Sequence, residues 1–208
     1  METDRVGASI FELFFNKWTG TVAKERFHPT TVSEIAGSIA GLALALLADD
    51  NIGWFTTIDR VQAITETFRE VIADLESRLG EDMSSWTWGR LHTIKLPHPL
   101  SKLGDLSQLL NRGGQEVGGN GITVCNTGYD PNYMAAMGAN YRLIADLADS
   151  PPGLWAVDAA GQSGHPGSTH YCDQLPDWLA GRHHYLTLDK DQANADAINH
   201  FTLIPQTS

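Results

Sequence analysis

Apolar residues recur at helical spacing through the first third of the chain and then give way to short runs broken by glycine and proline. Val6, Ile10, Phe11, Phe14, Phe15 and Trp18 repeat at intervals of three and four until Gly20, which reads as an interruption. Thr31-Val32-Ser33-Glu34 has the form of a capping box, in which a hydroxyl and a carboxylate satisfy each other's free N–H groups. Behind it Ile35, Ile39, Leu42, Leu46 and Leu47 define a broad apolar face. Thr56-Thr57-Ile58-Asp59 opens a third helix, which carries Val61, Ile64, Phe68, Val71, Leu75 and Leu79 along one side and stops at Gly80. All three are amphipathic and need a packing partner.

From Met83 onward the texture is tryptophan, proline, glycine and β-like runs. Pro97 and Pro99 bar regular helix. Gly113-Gly114 and Gly118-Gly119-Asn120-Gly121 read as loop punctuation, after which residues 122–125 are expected to form a strand. Residues 141–147 and 154–159 are further strand candidates, the second (from Gly153 on) with the look of a buried one. Asp189 is placed to cap a last short helix, and residues 201–204 to form a closing strand. Helices followed by strands predict an α+β fold. No repeat, low-complexity segment or linker divides residues 1–208.

Charge narrows the partners. The 208 residues carry a formal net charge of −11 with no Lys/Arg cluster, which argues against nucleic acid or an anionic membrane surface. The most apolar run, residues 35–48, is shorter than the ~20 residues that cross a bilayer and is read as a core helix. Glu2, Asp4 and Arg5 precede only a short apolar stretch, so no secretory signal is read there. The two cysteines, Cys125 and Cys172, are expected to be free, buried thiols.

Candidate chemistry concentrates in residues 161–185. Gly161-Gln162-Ser163-Gly164 starts like a nucleophile elbow, but His165 holds its fifth position, and Gly164, Pro166 and Gly167 spoil the helix an elbow requires. A structural loop serine is favoured. His165, His170 and Asp173, with His183-His184 nearby and His200 further on, lack the ligand spacing of a zinc helix. Imidazoles holding a coil loop are favoured over a metal site. The glycine-rich stretch between Gly113 and Gly121 lacks the Gly-Lys-Ser/Thr ending of a phosphate loop. Trp86 and Trp88 default to the core. Arg142, in an apolar run, either finds an acidic partner or faces solvent.

Four segments, in order, carry a resemblance. Gly161 to Gln174, as GQSGHPGS-x-HY-x-DQ followed by W-x-x-G from Trp178, resembles the C-terminal signature of the penicillin acylase family of N-terminal nucleophile hydrolases. Trp86-Thr87-Trp88-Gly89 through His92, then His98-Pro99-Leu100, resembles the family's W-x-W-G-x-x-H and HPL segment. Gly118 to Val124 resembles its GGDG-x-TV stretch, with Asn120 where aspartate is usual and Cys125 where asparagine often follows. Gly138-Ala139-Asn140-Tyr141-Arg142 with Asp146-Leu147 resembles its GASYR strand.

The resemblance implies a partial αββα four-layer sandwich and an amidohydrolase that cleaves side-chain amides, of the β-lactam or acyl-homoserine lactone type, through an acyl-enzyme. It implies that the nucleophile, the oxyanion-hole donors and a supporting arginine lie upstream, so no catalytic residue is assigned here; Met1 has no nucleophilic side chain. Gly161, Gln162, Ser163, Gly164, His165, His170, Tyr171, Asp173, Gln174 and Trp178 then form a structural signature loop. Implied partners are an upstream acylase chain or precursor segment and, for the complete enzyme, a small amide substrate. Calcium, which some members need, finds no ligands to carry over, and the family is commonly periplasmic or secreted. Two other readings stay open: a stand-alone binding module on the same scaffold, and a hydrolase built on Ser163 and the histidines.

Overall fold

The computed structural model describes residues 1–103, 105–148, 150–198 and 201–204. Its helical part is α1 (Val6–Arg26), α2 (Pro29–Ile35), α3 (Ala40–Ala48) and α4 (Arg60–Leu79). Helix α1 runs straight through Gly20, because about 1 kcal/mol of glycine propensity is small beside the burial of Leu13, Trp18, Val22 and Ala23 on either side. The expected capping box is not used. The second helix starts earlier, at Pro29, with His28 as its cap, and Thr31 donates its hydroxyl to the His28 carbonyl instead. The single helix expected over residues 35–48 is two, bent by 95°. Only Ala43 and Leu46 of α3 are buried, and among the described residues no single helix is long and apolar enough to cross a membrane. The third expected helix is present as read. Asp59 accepts from the Val61 and Gln62 amides, and Gly80 ends it at φ +90°.

The second part contains α5 (Trp88–Leu91), β1 (Thr93–Leu96), α6 (Ser107–Leu110), β2 (Arg112–Glu116), β3 (Thr127–Tyr129), β4 (Ala135–Gly138), β5 (Tyr141–Asp146), β6 (Gly153–Asp158), α7 (Leu175–Ala180), β7 (His184–Tyr185) and α8 (Lys190–Asp196). One sheet has the order β2-β1-β4-β3 and the other β5-β6-β7. Strand β1 pairs β4 in parallel and the remaining ladders are antiparallel. Gly113 and Gly114, expected in a loop, lie inside β2. A Cβ on Gly113 would stand 2.4 Å from the Ile94 carbonyl of the neighbouring strand, so glycine there permits strand contact.

Residues 122–125 are not a strand. The Asn120 side-chain carbonyl accepts from the Ile122 and Thr123 amides while the Asn120 amide donates to Thr123 Oγ1, and these local bonds replace a ladder. Ile122 and Val124 are left 93% and 99% exposed. Residues 201–204 are likewise exposed and unpaired among the described residues. Strands β5 and β6 and the Asp189-capped α8 match expectation. The cysteines are free, but Cys125 is exposed and Cys172 half-buried, which corrects the expectation of two buried thiols.

Three apolar clusters hold these parts together. Trp18, Val22, Ala43, Leu46 and Ala63 join the helices. Leu13, Val71, Leu75, Trp86, Trp88 and Tyr133 join α1 and α4 to the tryptophan turn and the first sheet. Ile94, Val117, Ala135, Val157, Ala159, Leu175 and Trp178 join the first sheet to β6 and α7. Both Trp86 and Trp88 are therefore core residues, in an α+β arrangement in which the sheets share one core.

Candidate functional site

The loop after β6 is built by backbone bonds and one close approach. The Ser163 amide donates to the His170 carbonyl at 3.0 Å, and the Gln174 amide to the Ala160 carbonyl at 3.0 Å. Gly161 lies against this crossing, where a Cβ would meet the His170 carbonyl at 2.3 Å. Side chains close the smaller turns. Ser163 Oγ accepts from the His165 amide at 3.1 Å, His165 Nδ1 from the Gly167 amide at 3.0 Å, and Ser168 Oγ from the His170 amide at 3.1 Å. Gly164, by contrast, faces open space.

Three residues tie the loop to its surroundings. Tyr171, buried, donates its hydroxyl to the Leu110 carbonyl and lies beneath the Arg112 guanidinium at 4.6 Å. Gln174 Oε1 accepts from the Asp158 amide at 3.0 Å, fastening the end of β6. Trp178 is 1% exposed and donates its indole N–H to the Ala139 carbonyl at 3.0 Å. Proline near the start of α7 and left-handed Gly181 after it set the ends of the helix that carries this indole.

Gln162, Ser163, His170, Asp173, Gln174 and His184 line one open cleft of ≈ 500 Å³. His170 Nδ1 and Asp173 Oδ2 are 2.7 Å apart, and that bond, foremost, holds the Asp173 carboxyl below its ordinary range. An imidazole–carboxylate pair and a serine thus share a cleft, but among the described residues the His170 imidazole makes no hydrogen bond to the Ser163 hydroxyl, and the serine oxygen faces a backbone amide. A nucleophile needs a base within about 3.2 Å of its hydroxyl. Among the described residues no group of three or more His, Cys, Asp or Glu side chains is arranged to hold a metal ion. His184 reaches Asp177 at 3.3 Å rather than joining the His170 pair, and His200 lies outside the described residues.

Two buried polar networks were not singled out from the sequence. Glu12, 8% exposed on α1, takes a hydrogen bond from the Tyr129 hydroxyl and another from Asn120 Nδ2 at 3.0 Å, and Asn16 donates to the Tyr129 oxygen at 2.6 Å. Burial, reinforced by that bond to Glu12, raises the Tyr129 pKa. The asparagine at position 120 has a physical reason here, since an aspartate would set one carboxylate against another. In the second network, fully buried His92 places Nδ1 2.7 Å from the Tyr133 carbonyl and Nε2 3.0 Å from Thr127 Oγ1, with Trp88 stacked on its ring at 4.6 Å. Burial lowers its pKa against the bond to Tyr133. The one available signal for Glu12 was a carboxylate in register with the buried face of an otherwise apolar helix.

The sequence matches the penicillin amidase family over residues 1–195. It is 30% identical over 154 residues to an acyl-homoserine lactone acylase (QuiP) of Pseudomonas aeruginosa, covering 67% of this chain and 18% of that protein. It is also 30% identical over 139 residues to a penicillin acylase 2 proenzyme of a Pseudomonas species (strain SE83), covering 65% and 18%. The fold resembles that of the thermostable penicillin G acylase from Alcaligenes faecalis, with a TM-score of 0.60 and 12% identity, over 100% of this chain and 41% of that one. The chain thus spans about a fifth of the length of these curated relatives. From Val6 in the first helix to α8 at the end, the chain belongs to the penicillin amidase family.

Proposed function

We propose that residues 1–208 serve, undivided, as the C-terminal scaffold of a penicillin acylase-like amidohydrolase, one that cleaves a side-chain amide of the β-lactam or acyl-homoserine lactone type through an acyl-enzyme. In this reading the nucleophile comes from a portion of the enzyme outside these residues, and the chain on its own is inactive. The scaffold completes the four-layer sandwich of the family and braces the site. The observation that carries it is the family match over residues 1–195 combined with a cleft in which, among the described residues, Ser163 Oγ accepts from the His165 amide and has no side-chain base as partner. No ligand set for calcium is assigned to this chain, and an exported location follows only from the resemblance.

The test is hydrolysis of phenylacetyl amides and long-chain N-acyl-homoserine lactones by residues 1–208 alone and by the same residues co-expressed with an amino-terminal acylase portion. Turnover is expected in the second preparation only. Turnover by residues 1–208 that is lost on Ser163→Ala would overturn the reading in favour of a serine hydrolase.

A further inference from the structure

Arg142 answers the question its sequence context raised in neither of the two expected ways. It projects from β5 toward α7, where its guanidinium lies 3.8 Å over the Trp178 ring and donates Nη1–H to the Trp178 carbonyl at 2.8 Å. That is its one hydrogen bond among the described residues. Among the described residues its Nε–H, shut off from water, has no acceptor, and no carboxylate forms an ion pair with it. Burial accordingly works against its charge. A buried donor without an acceptor costs about 1–3 kcal/mol, and more when charged, so a native structure rarely leaves one.

Beside this guanidinium is an open cleft of ≈ 420 Å³, lined also by Val117, Gly119, Val124, Cys125 and Gly181. Its rim is apolar and unfilled. Val124 is almost wholly exposed, and further along β5, outside the cleft, Leu143 and Ile144 on opposite faces of the strand are each about half exposed. Strand β5 is also the edge of its sheet, with an unpaired row of backbone groups on the side away from β6. A cation, an apolar cleft and a free strand edge within one region are suited to peptide, which supplies an anionic or carbonyl acceptor, apolar side chains and a ladder partner together.

We propose that the cleft around Arg142 is a docking site for a carboxylate-bearing peptide segment from the portion of the acylase outside residues 1–208, the carboxylate accepting from Nη2–H, which among the described residues is unbonded and, unlike Nε–H, open to solvent. This rests on the proposed function, which requires such a portion. The length of the relatives supplies the source, and the unanswered positive charge selects the chemistry.

Cys125, exposed on the same cleft, is a built-in reporter, with half-buried Cys172 as reference. The experiment measures alkylation by iodoacetamide in residues 1–208 alone and in the same residues co-expressed with the amino-terminal portion. Cys125 labelling is expected to slow at least about tenfold in the joined protein. Arg142→Glu should restore fast labelling there, whereas Arg142→Lys should keep most of the protection. Equal labelling in both preparations overturns the proposal, as does protection that survives Arg142→Glu. Protection in the isolated chain that grows with protein concentration would assign the cleft to a second copy and overturn it as well. Amide turnover by the joined protein, measured in parallel, separates the two readings: turnover without Cys125 protection sinks the docking site alone.

Discussion

The loop after β6 and the rim formed by residues 122–125 with β5 lie on the same second half of the molecule and differ in almost every physical respect. In the loop, polar groups close one another's turns, and Tyr171 and Trp178 carry it into the core through hydrogen-bonded aromatic rings. In the rim, Ile122 and Val124 point into solvent, and among the described residues β5 has an unpaired edge and Arg142 holds a buried N–H with no acceptor. Both regions coincide with segments that resemble family motifs, so motif content does not distinguish them. What distinguishes them is whether the groups that satisfy each segment lie within this chain. The loop is self-sufficient; the rim is shaped for something else.

The largest expected effect tests the self-sufficient side. Trp178→Ala should cost about 3–5 kcal/mol in urea unfolding, because it empties a buried site, orphans the Ala139 carbonyl and removes the surface on which Arg142 stacks. A loss below about 1 kcal/mol would show that the loop is not anchored there. Asn120→Asp should cost about 1–3 kcal/mol at neutral pH by replacing a donor to Glu12 with a second buried carboxylate. Urea unfolding of the variant beside Asn120→Ala, which removes the donor without adding a charge, decides it: the aspartate is expected to cost more.

A smaller effect follows from His92. Its folded pKa lies below the ordinary 6.5, so the unfolded chain binds the proton more readily. Its contribution is therefore complete above about pH 6.5 and lost on acidification below that value. His92→Gln should flatten this part of the stability–pH curve. Glu25 acts at lower pH. Burial opposes its charge, but the Thr57 hydroxyl and the Thr56 and Thr57 amides outweigh that and hold its pKa at about 2, so its contribution is present above 4.5 and fades only as the pH falls toward 2. The smallest effect is Ser163→Ala, about 1 kcal/mol or less in stability, and within about tenfold in the turnover of a complete acylase. A drop of several orders of magnitude would remove the loop from the scaffold and place it in the chemistry.

Where sequence reading succeeded, the deciding interactions were local or amphipathic. The apolar face of α4, Gly80 stopping it, Asp189 capping α8 and the strands β5 and β6 depend on neighbours within a few residues or on one apolar face. Reading failed where side chains competed with the backbone. His28 took the cap expected of Thr31, and Asn120 folded residues 120–123 into a turn that apolar composition alone would make a strand. The short strands β1, β3 and β4, three or four residues each, carry too little pattern to be seen alone and exist because they pair with one another.

The α+β order of elements, the family resemblance and the residues of the loop were legible without coordinates, because they reside in spacing and residue type. Contacts between distant segments brought Glu12 to Tyr129 and Asn120 across more than a hundred residues, set His92 under Trp88, and left Arg142 half-buried with no counter-charge among the described residues. The physical reason is that burial and pairing are properties of contacts between distant segments. A carboxylate or guanidinium in a sequence has no environment until the fold removes its water, and only then does the presence or absence of a partner acquire an energy.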